Sequence, residues 1–275
     1  MNRIFNSEIE VIFEVNPFEI KSIKKSNIEI IYQQSSNWQK NWPILFPICG
    51  NLNGNLEHNG KLLKLERHGF FKEIKSWKII EHSQSKITLE YISKEDFYEI
   101  YPFKFKMTIE LYLDKNNFFL NIIIKNLESE EMFFSIGHHP GFKFLNRSNL
   151  QIEKPILFSD KFENGLILNL EKDIKIKEFT NQSLDFSDSK SYITDDYNNQ
   201  DININSGEIK FKIKTNDFKD LVLWRENNSC DFICVEHWNG LPDRVKRISN
   251  ELKDKPEILT LKTDEQKEFL LNIEF

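Results

Sequence analysis

Three residues have the type and setting for proton transfer: Glu236, His139 and His68. If residues 232–238 form a strand, Ile233 and Val235 turn to a core while Cys234, Glu236 and Trp238 share the opposite face. A carboxylate held between a thiol and an indole differs from an ordinary solvated glutamate. Partial burial there would raise its pKa towards values useful to a general base at neutral pH. His139 closes a run, Phe133-Phe134-Ser135-Ile136-Gly137-His138-His139-Pro140, that reads as a strand followed by a turn. Alternation puts Phe134, Ile136 and His138 on one face and Ser135, Gly137 and His139 on the other. The first face is greasy enough for a core. The second is small and polar and ends in an imidazole, as the floor of a pocket would. Pro140 holds His139 in extended or turn backbone, because αR is disfavoured before proline. His68 precedes Gly69, where the chain can pass close to another segment.

Each of these residues has a structural alternative: a solvated glutamate, or a histidine satisfied within the fold. His138 falls on the apolar face and is expected to pack rather than react. His237 points away from Glu236 if the strand is regular, and His58 and His82 have no motif around them. Trp224 and Trp238 offer indole faces on which the C–H face of a sugar can stack, with core packing as the alternative. Asn51, Arg67, Asn239 and Asp243 are candidates for hydroxyl contacts. Several histidines and a glutamate also describe a zinc or iron site. The adjacent His138 and His139 cannot both reach one ion from a regular strand, and there is no His-x-His, so no functional metal is expected. Neither a Gly-x-Ser-x-Gly elbow nor a glycine-rich phosphate loop is present.

The elements that must position these groups are strands. Alternating or apolar runs at residues 11–15, 28–32, 75–90, 103–113, 117–126, 132–136, 152–158, 166–170, 209–214, 221–224, 232–238, 257–261 and 268–275 predict an all-β sandwich. Turn signals fall at residues 94–96, 114–116 and 263–265. Pro43 and Pro47 bracket an apolar run that must be an edge strand or a buried loop. Residues 181–205 are polar and turn-rich, and read as a surface excursion with short structure of its own. No repeat or linker divides the chain, so residues 1–275 are expected to form one domain.

The 275 residues suit one large all-β core, and 24 phenylalanines say that large side chains fill it. A formal net charge of −6 argues against nucleic acid or an anionic membrane as the main partner. Residues 1–20 carry Arg3, Glu8, Glu10 and Glu14 without a long apolar run, so neither a signal peptide nor a membrane anchor is expected. Cys230 and Cys234 on one strand would stand roughly 13 Å apart, too far for a disulfide, and with Cys49 they make an odd count. A reducing cytoplasm is the expected location.

Five segments in order resemble the aldose 1-epimerase (galactose mutarotase-like) family, in particular its LacX-like branch: Pro43-Ile44-Leu45-Phe46-Pro47-Ile48-Cys49-Gly50, Arg67-His68-Gly69-Phe70, Tyr101-Pro102-Phe103, Phe134 through Phe142, and Phe232 through Gly240. The resemblance implies a galactose mutarotase-like β-sandwich, or supersandwich, carrying a sugar site on its concave sheet. It implies that Glu236 is the base at the anomeric hydroxyl, that His139 protonates the ring oxygen, and that His68 assists there. The expected function is cofactor-independent exchange of the α and β anomers of an aldose, a hexose in the first instance. Hexose-6-phosphate mutarotation and non-catalytic sugar binding on the same fold stay open as alternatives. A phosphate would need converging cations, for which Arg67, Arg225 and Arg244 are candidates. The chain departs from the family pattern at Asn51, where arginine is usual, at His138, where glycine is usual, and at His237, where proline is usual.

Overall fold

Period-two burial builds the sheets. In Phe105–Asp114 every second residue is buried, and this strand pairs with Asn117–Asn126 from Phe105↔Asn126 to Asp114↔Asn117. The computed structural model describes residues 1–93 and 95–275. The hairpin lies within a nine-stranded antiparallel sheet whose order is Ile174–Thr180, Asn149–Phe158, Ile202–Asn205, Lys210–Asn216, Gln266–Glu274, Asn117–Asn126, Phe105–Asp114, Lys86–Ile92 and Lys78–His82. A second sheet runs Ser191–Thr194, Asp220–Trp224, Phe232–Asn239, Ile136–His138, Ile44–Leu45, with Gly141–Lys143 also paired to Phe232–Asn239. Asn2–Phe5, Ile9–Val15, Phe18–Lys25 and Ile28–Glu29 form a third sheet at the N-terminus.

One continuous core joins the sheets. Ile233, Val235, Leu221 and Leu223 from the second sheet share a buried cluster with Ile109, Leu111, Ile122 and Phe269 from the first. Alternation then leaves Cys234, Glu236 and Trp238 on the face of the second sheet turned from that core. The fold is thus an all-β sandwich in which one layer is packed inside and carries a site outside.

The departures from the sequence reading are local. Residues 75–90 are not one strand but the hairpin Lys78–His82 and Lys86–Ile92. Its turn, Ser83-Gln84-Ser85, contains neither glycine nor proline and closes through the Ser83 N–H to the Lys86 carbonyl at 2.8 Å. Residues 132–136 split at Ser135, whose N–H donates to the Pro47 carbonyl at 2.7 Å. Met132–Phe134 pairs with Leu259–Leu261, whereas Ile136–His138 pairs between Ile44–Leu45 and Phe232–Asn239. Residues 181–205 do not leave the fold: Ser191–Thr194 extends the second sheet and Ile202–Asn205 the first. The edge strand Ile174–Thr180 went unpredicted. Of the turn expected at residues 94–96, Lys94 lies outside the described residues, and Glu95–Tyr98 forms a single helical turn. All three cysteines are free and buried. Among the described residues, no helix is long and apolar enough to cross a membrane.

Candidate active site

The Phe232–Asn239 strand supplies Glu236, and the segment leaving Ile136–His138 supplies His139. The register sets Val222 beside Glu236, and Gly137 beside Trp238. Gly137 has a steric reason to be glycine. A Cβ there would stand 2.5 Å from Trp238 Cδ1, so the indole lies across the glycine. The result is a buried contact: His139 Nε2 lies 3.3 Å from Glu236 Oε1, with the two residues 7% and 1% exposed.

Burial works on the two groups in opposite directions. It raises the Glu236 carboxyl well above the usual carboxylate range, against weaker opposing pulls from the Arg67 guanidinium and Trp238. It lowers His139 to about 3, with Arg67 pushing the same way. Burial therefore favours the uncharged form of each group, a proton on the carboxyl beside a neutral imidazole. Transfer of that proton across the 3.3 Å contact would give a carboxylate base and an imidazolium acid together. Among the described residues, Glu236 Oε2 and His139 Nδ1 have no hydrogen-bond partner.

His68 reaches the same place from a turn. His68 and Gly69 have φ of 65° and 68°, and a Cβ on Gly69 would lie 2.2 Å from the Phe46 carbonyl oxygen. That close approach lets the turn lean on the Phe46 backbone and aim the imidazole inward, with the His68 ring 5.9 Å from that of His139. The Gly50 N–H donates to His68 Nδ1 at 3.2 Å. Burial and the neighbouring His139 and Arg67 hold His68 well below its usual pKa, so the ring is neutral. With Nδ1 accepting, the single ring proton belongs on Nε2. Arg67 Nε, itself a donor, lies 3.0 Å from Nε2. One neutral imidazole has a single acceptor nitrogen, so the Gly50 and Arg67 N–H groups compete for the ring.

Two adjoining cavities share Arg67 and His68. One, of about 860 Å³, is lined by His139, Trp38, Trp224 and the cations Lys40, Lys72 and Lys75. The other, of about 430 Å³, is lined by Trp238, Asn51, Asp160 and Asp188. Both volumes are in the range of small-molecule sites. Trp38 stacks on His139 at 5.3 Å between centroids and meets Trp224 edge-on at 5.7 Å. Sequence reasoning missed Trp38. Its signal was a lone tryptophan in the polar run Gln33 to Lys40.

The other sequence candidates divide. Arg67, Trp224 and Trp238 line the cavities. Asn51 sits at the rim of the smaller one, its amide donating to the Asn164 carbonyl at 2.9 Å. Asn239 and Asp243 are not free to meet a ligand. Asn239 bridges to the Asp217 carbonyl, and Asp243 pairs with Arg247 at 3.0 Å and Lys255 at 3.1 Å inside the fold. Arg225 is fully buried, donating to Asn181 and to the Cys230 carbonyl. Arg244 lines neither cavity. His138 and His237 lie behind the sheet, rings 5.2 Å apart, near Trp42, Phe218 and Tyr197.

Asp220, not singled out in the sequence, sits opposite Trp238 in the register. Burial pushes its carboxyl from 3.8 up to about 7, offset in part by the Gly240 N–H. Between those values the folded protein keeps a proton that the unfolded chain has released. This stabilisation is full below the unfolded value and is lost as the pH rises through about 7. Asp220→Asn should therefore flatten the fall in melting temperature across that window relative to the wild type. Parallel curves for the two proteins would show that Asp220 titrates normally.

The geometry has counterparts among known proteins. A galactose mutarotase-like protein from Lactobacillus casei superposes with a TM-score of 0.88 at 20% identity, covering 100% of this chain and 99% of the other. A galactose mutarotase related enzyme from Lactobacillus acidophilus gives 0.86 at 22% identity over 99% and 96% of the two chains. The fold is a galactose mutarotase-like β-sandwich in a single domain. The LacX protein encoded on a plasmid of Lactococcus lactis subsp. lactis is 26% identical over 92% of both chains. The family model for aldose 1-epimerase matches residues 19–252. The chain belongs to the aldose 1-epimerase family and is an isomerase of mutarotase type.

Proposed function

We propose that the protein interconverts the α and β anomers of a free aldose, with Glu236 as base, His139 as acid and His68 as an auxiliary donor. The observation that carries this reading is the buried His139–Glu236 contact of 3.3 Å, in which His139 lines the larger cavity and Glu236 lies directly behind it. The anomeric hydroxyl and the ring oxygen are both bonded to C1, so two groups this close can address both at once. Glu236 takes the hydroxyl proton, the C1–O5 bond breaks as C1=O forms, and the ring oxygen takes the proton from His139. Rotation about C1–C2 and the reverse transfers close the other anomer. Protons balance over the cycle, and no electrons leave the sugar. The Nε2–H of His68 supports the developing charge on the ring oxygen, and Trp38 and Trp224 supply apolar surface to the sugar.

A second reading rests on the four cations around the larger cavity, Arg67, Lys40, Lys72 and Lys75, which would suit a phosphorylated hexose. Glu19, Glu66 and Glu73 line the same cavity and offset most of that charge, so the free sugar is favoured. Polarimetry on matched free and 6-phosphorylated aldoses tests the choice. A higher kcat/KM for the free sugar is expected, and a large preference for the phosphate would reverse the assignment. Exhaustive chelation should leave the rate no lower, since both proton carriers are side chains. A loss restored by one divalent ion would make the metal a participant and overturn this mechanism.

A further inference from the structure

Cys234 has no part in the acid–base scheme, yet it stands beside it. It is two residues from Glu236 on the same strand, so both side chains leave the sheet on one face. One ligand atom each from His139, Cys234 and Glu236 lie within 4.8 Å of one another, and all three residues are buried. We propose that these three side chains form a binding site for a thiophilic divalent cation, zinc above all, and that its occupancy shuts the acid–base pair.

The donor set is the argument. A thiolate, an imidazole nitrogen and a carboxylate oxygen are the three ligand types zinc takes, and a three-ligand site leaves one position open. Ligands about 2.0–2.3 Å from one tetrahedral ion stand roughly 3.5 Å apart. His139 Nε2 and Glu236 Oε1 already meet that spacing at 3.3 Å, and only the sulfur needs to close. Glu236 Oε2, the second oxygen of the same carboxyl, is buried and has no hydrogen-bond partner among the described residues, so a cation bound to this carboxyl would offset a polar group left unpaired. The Cys234 thiol and the Glu236 carboxyl each release their proton to solvent as the ion binds, and no redox step is involved.

The surroundings suit reversible occupancy rather than a resident metal. A zinc-bound histidine ordinarily donates its second N–H to an outer partner, and His139 Nδ1 has none among the described residues. Of the three ligands, His139 lines the larger cavity. Inhibition rests on the proposed roles of His139 and Glu236, whereas metal binding itself does not.

Cobalt and zinc titrations separate the two. Cobalt(II) added to the wild type should give the thiolate-to-cobalt charge-transfer absorption, which is absent in Cys234→Ser and retained in Cys230→Ser. Zinc should suppress anomer exchange where magnesium does not. Cys234→Ser should keep the metal-free rate while losing zinc sensitivity by at least about tenfold, the scale on which even outer partners of a zinc site act. Cys234→Ala, checked by circular dichroism, guards against a folding defect in the serine variant. A cobalt complex without the thiolate band, or Cys234→Ser as zinc-sensitive as the wild type, would overturn the proposal. Should the protein turn over no sugar at all, the cobalt spectrum still decides whether the site exists.

Discussion

Glu236→Gln should slow anomer exchange by about a hundred- to ten-thousand-fold, the range of a general acid–base group, while sugar binding survives. The amide keeps the shape and much of the polarity of the carboxyl but cannot accept the anomeric proton. The residue is 1% exposed, and its burial already disfavours the charged form. A neutral amide therefore asks less of the fold than a carboxylate, and loss of structure should not confuse the result. The effect belongs on kcat, with KM little changed, because the missing interaction exists only as the ring opens. The wild-type rate should fall as the pH rises through an ionisation above the usual carboxylate range, where the pair loses its one shared proton, and the residual rate of the variant should lack that limb. Full turnover by Glu236→Gln would remove the base from the mechanism.

His139→Asn should cost a similar factor, and its neighbour makes it a controlled experiment. His139 lines the cavity, whereas His138 packs between Trp42, Phe218 and His237, neither ring nitrogen having a hydrogen-bond partner among the described residues. His138→Asn should leave kcat nearly intact and instead lower stability by about 1–3 kcal/mol, the usual scale for disturbing a packed core. One residue along the chain thus separates chemistry from folding. Loss of turnover in a folded His138→Asn protein, with His139→Asn active, would mean that the faces had been assigned backwards.

That assignment was legible because strand alternation is a local rule. Pro140 and the apolar run before His139 were enough to turn His139 one way and His138 the other. The same rule separated Glu236 from His237. Partnership was less legible. Glu236 and His139 meet because two strands pair with Gly137 opposite Trp238, and spacing along the chain does not encode that register. Trp38 reaches His139 from a polar segment with no periodicity to flag it. Ser191–Thr194 and Ile202–Asn205 are strands because neighbouring strands complete their ladders, against a polar sequence that reads as loop. The Ser83–Ser85 turn lacks the residues that usually mark one, and so two strands read as one. Asn239 and Asp243 looked available because a sequence does not show which polar groups the fold has already used.

The most direct test of the central claim is two-dimensional exchange NMR on an aldose labelled at C1, with and without the wild-type protein. If the buried His139–Glu236 pair opens the ring, cross-peaks between the α and β C1 signals must grow faster than in the sugar alone, in proportion to enzyme. Broadened sugar signals that show binding, with exchange no faster than the spontaneous rate for every aldose tried, would leave a sugar-binding protein and contradict the account.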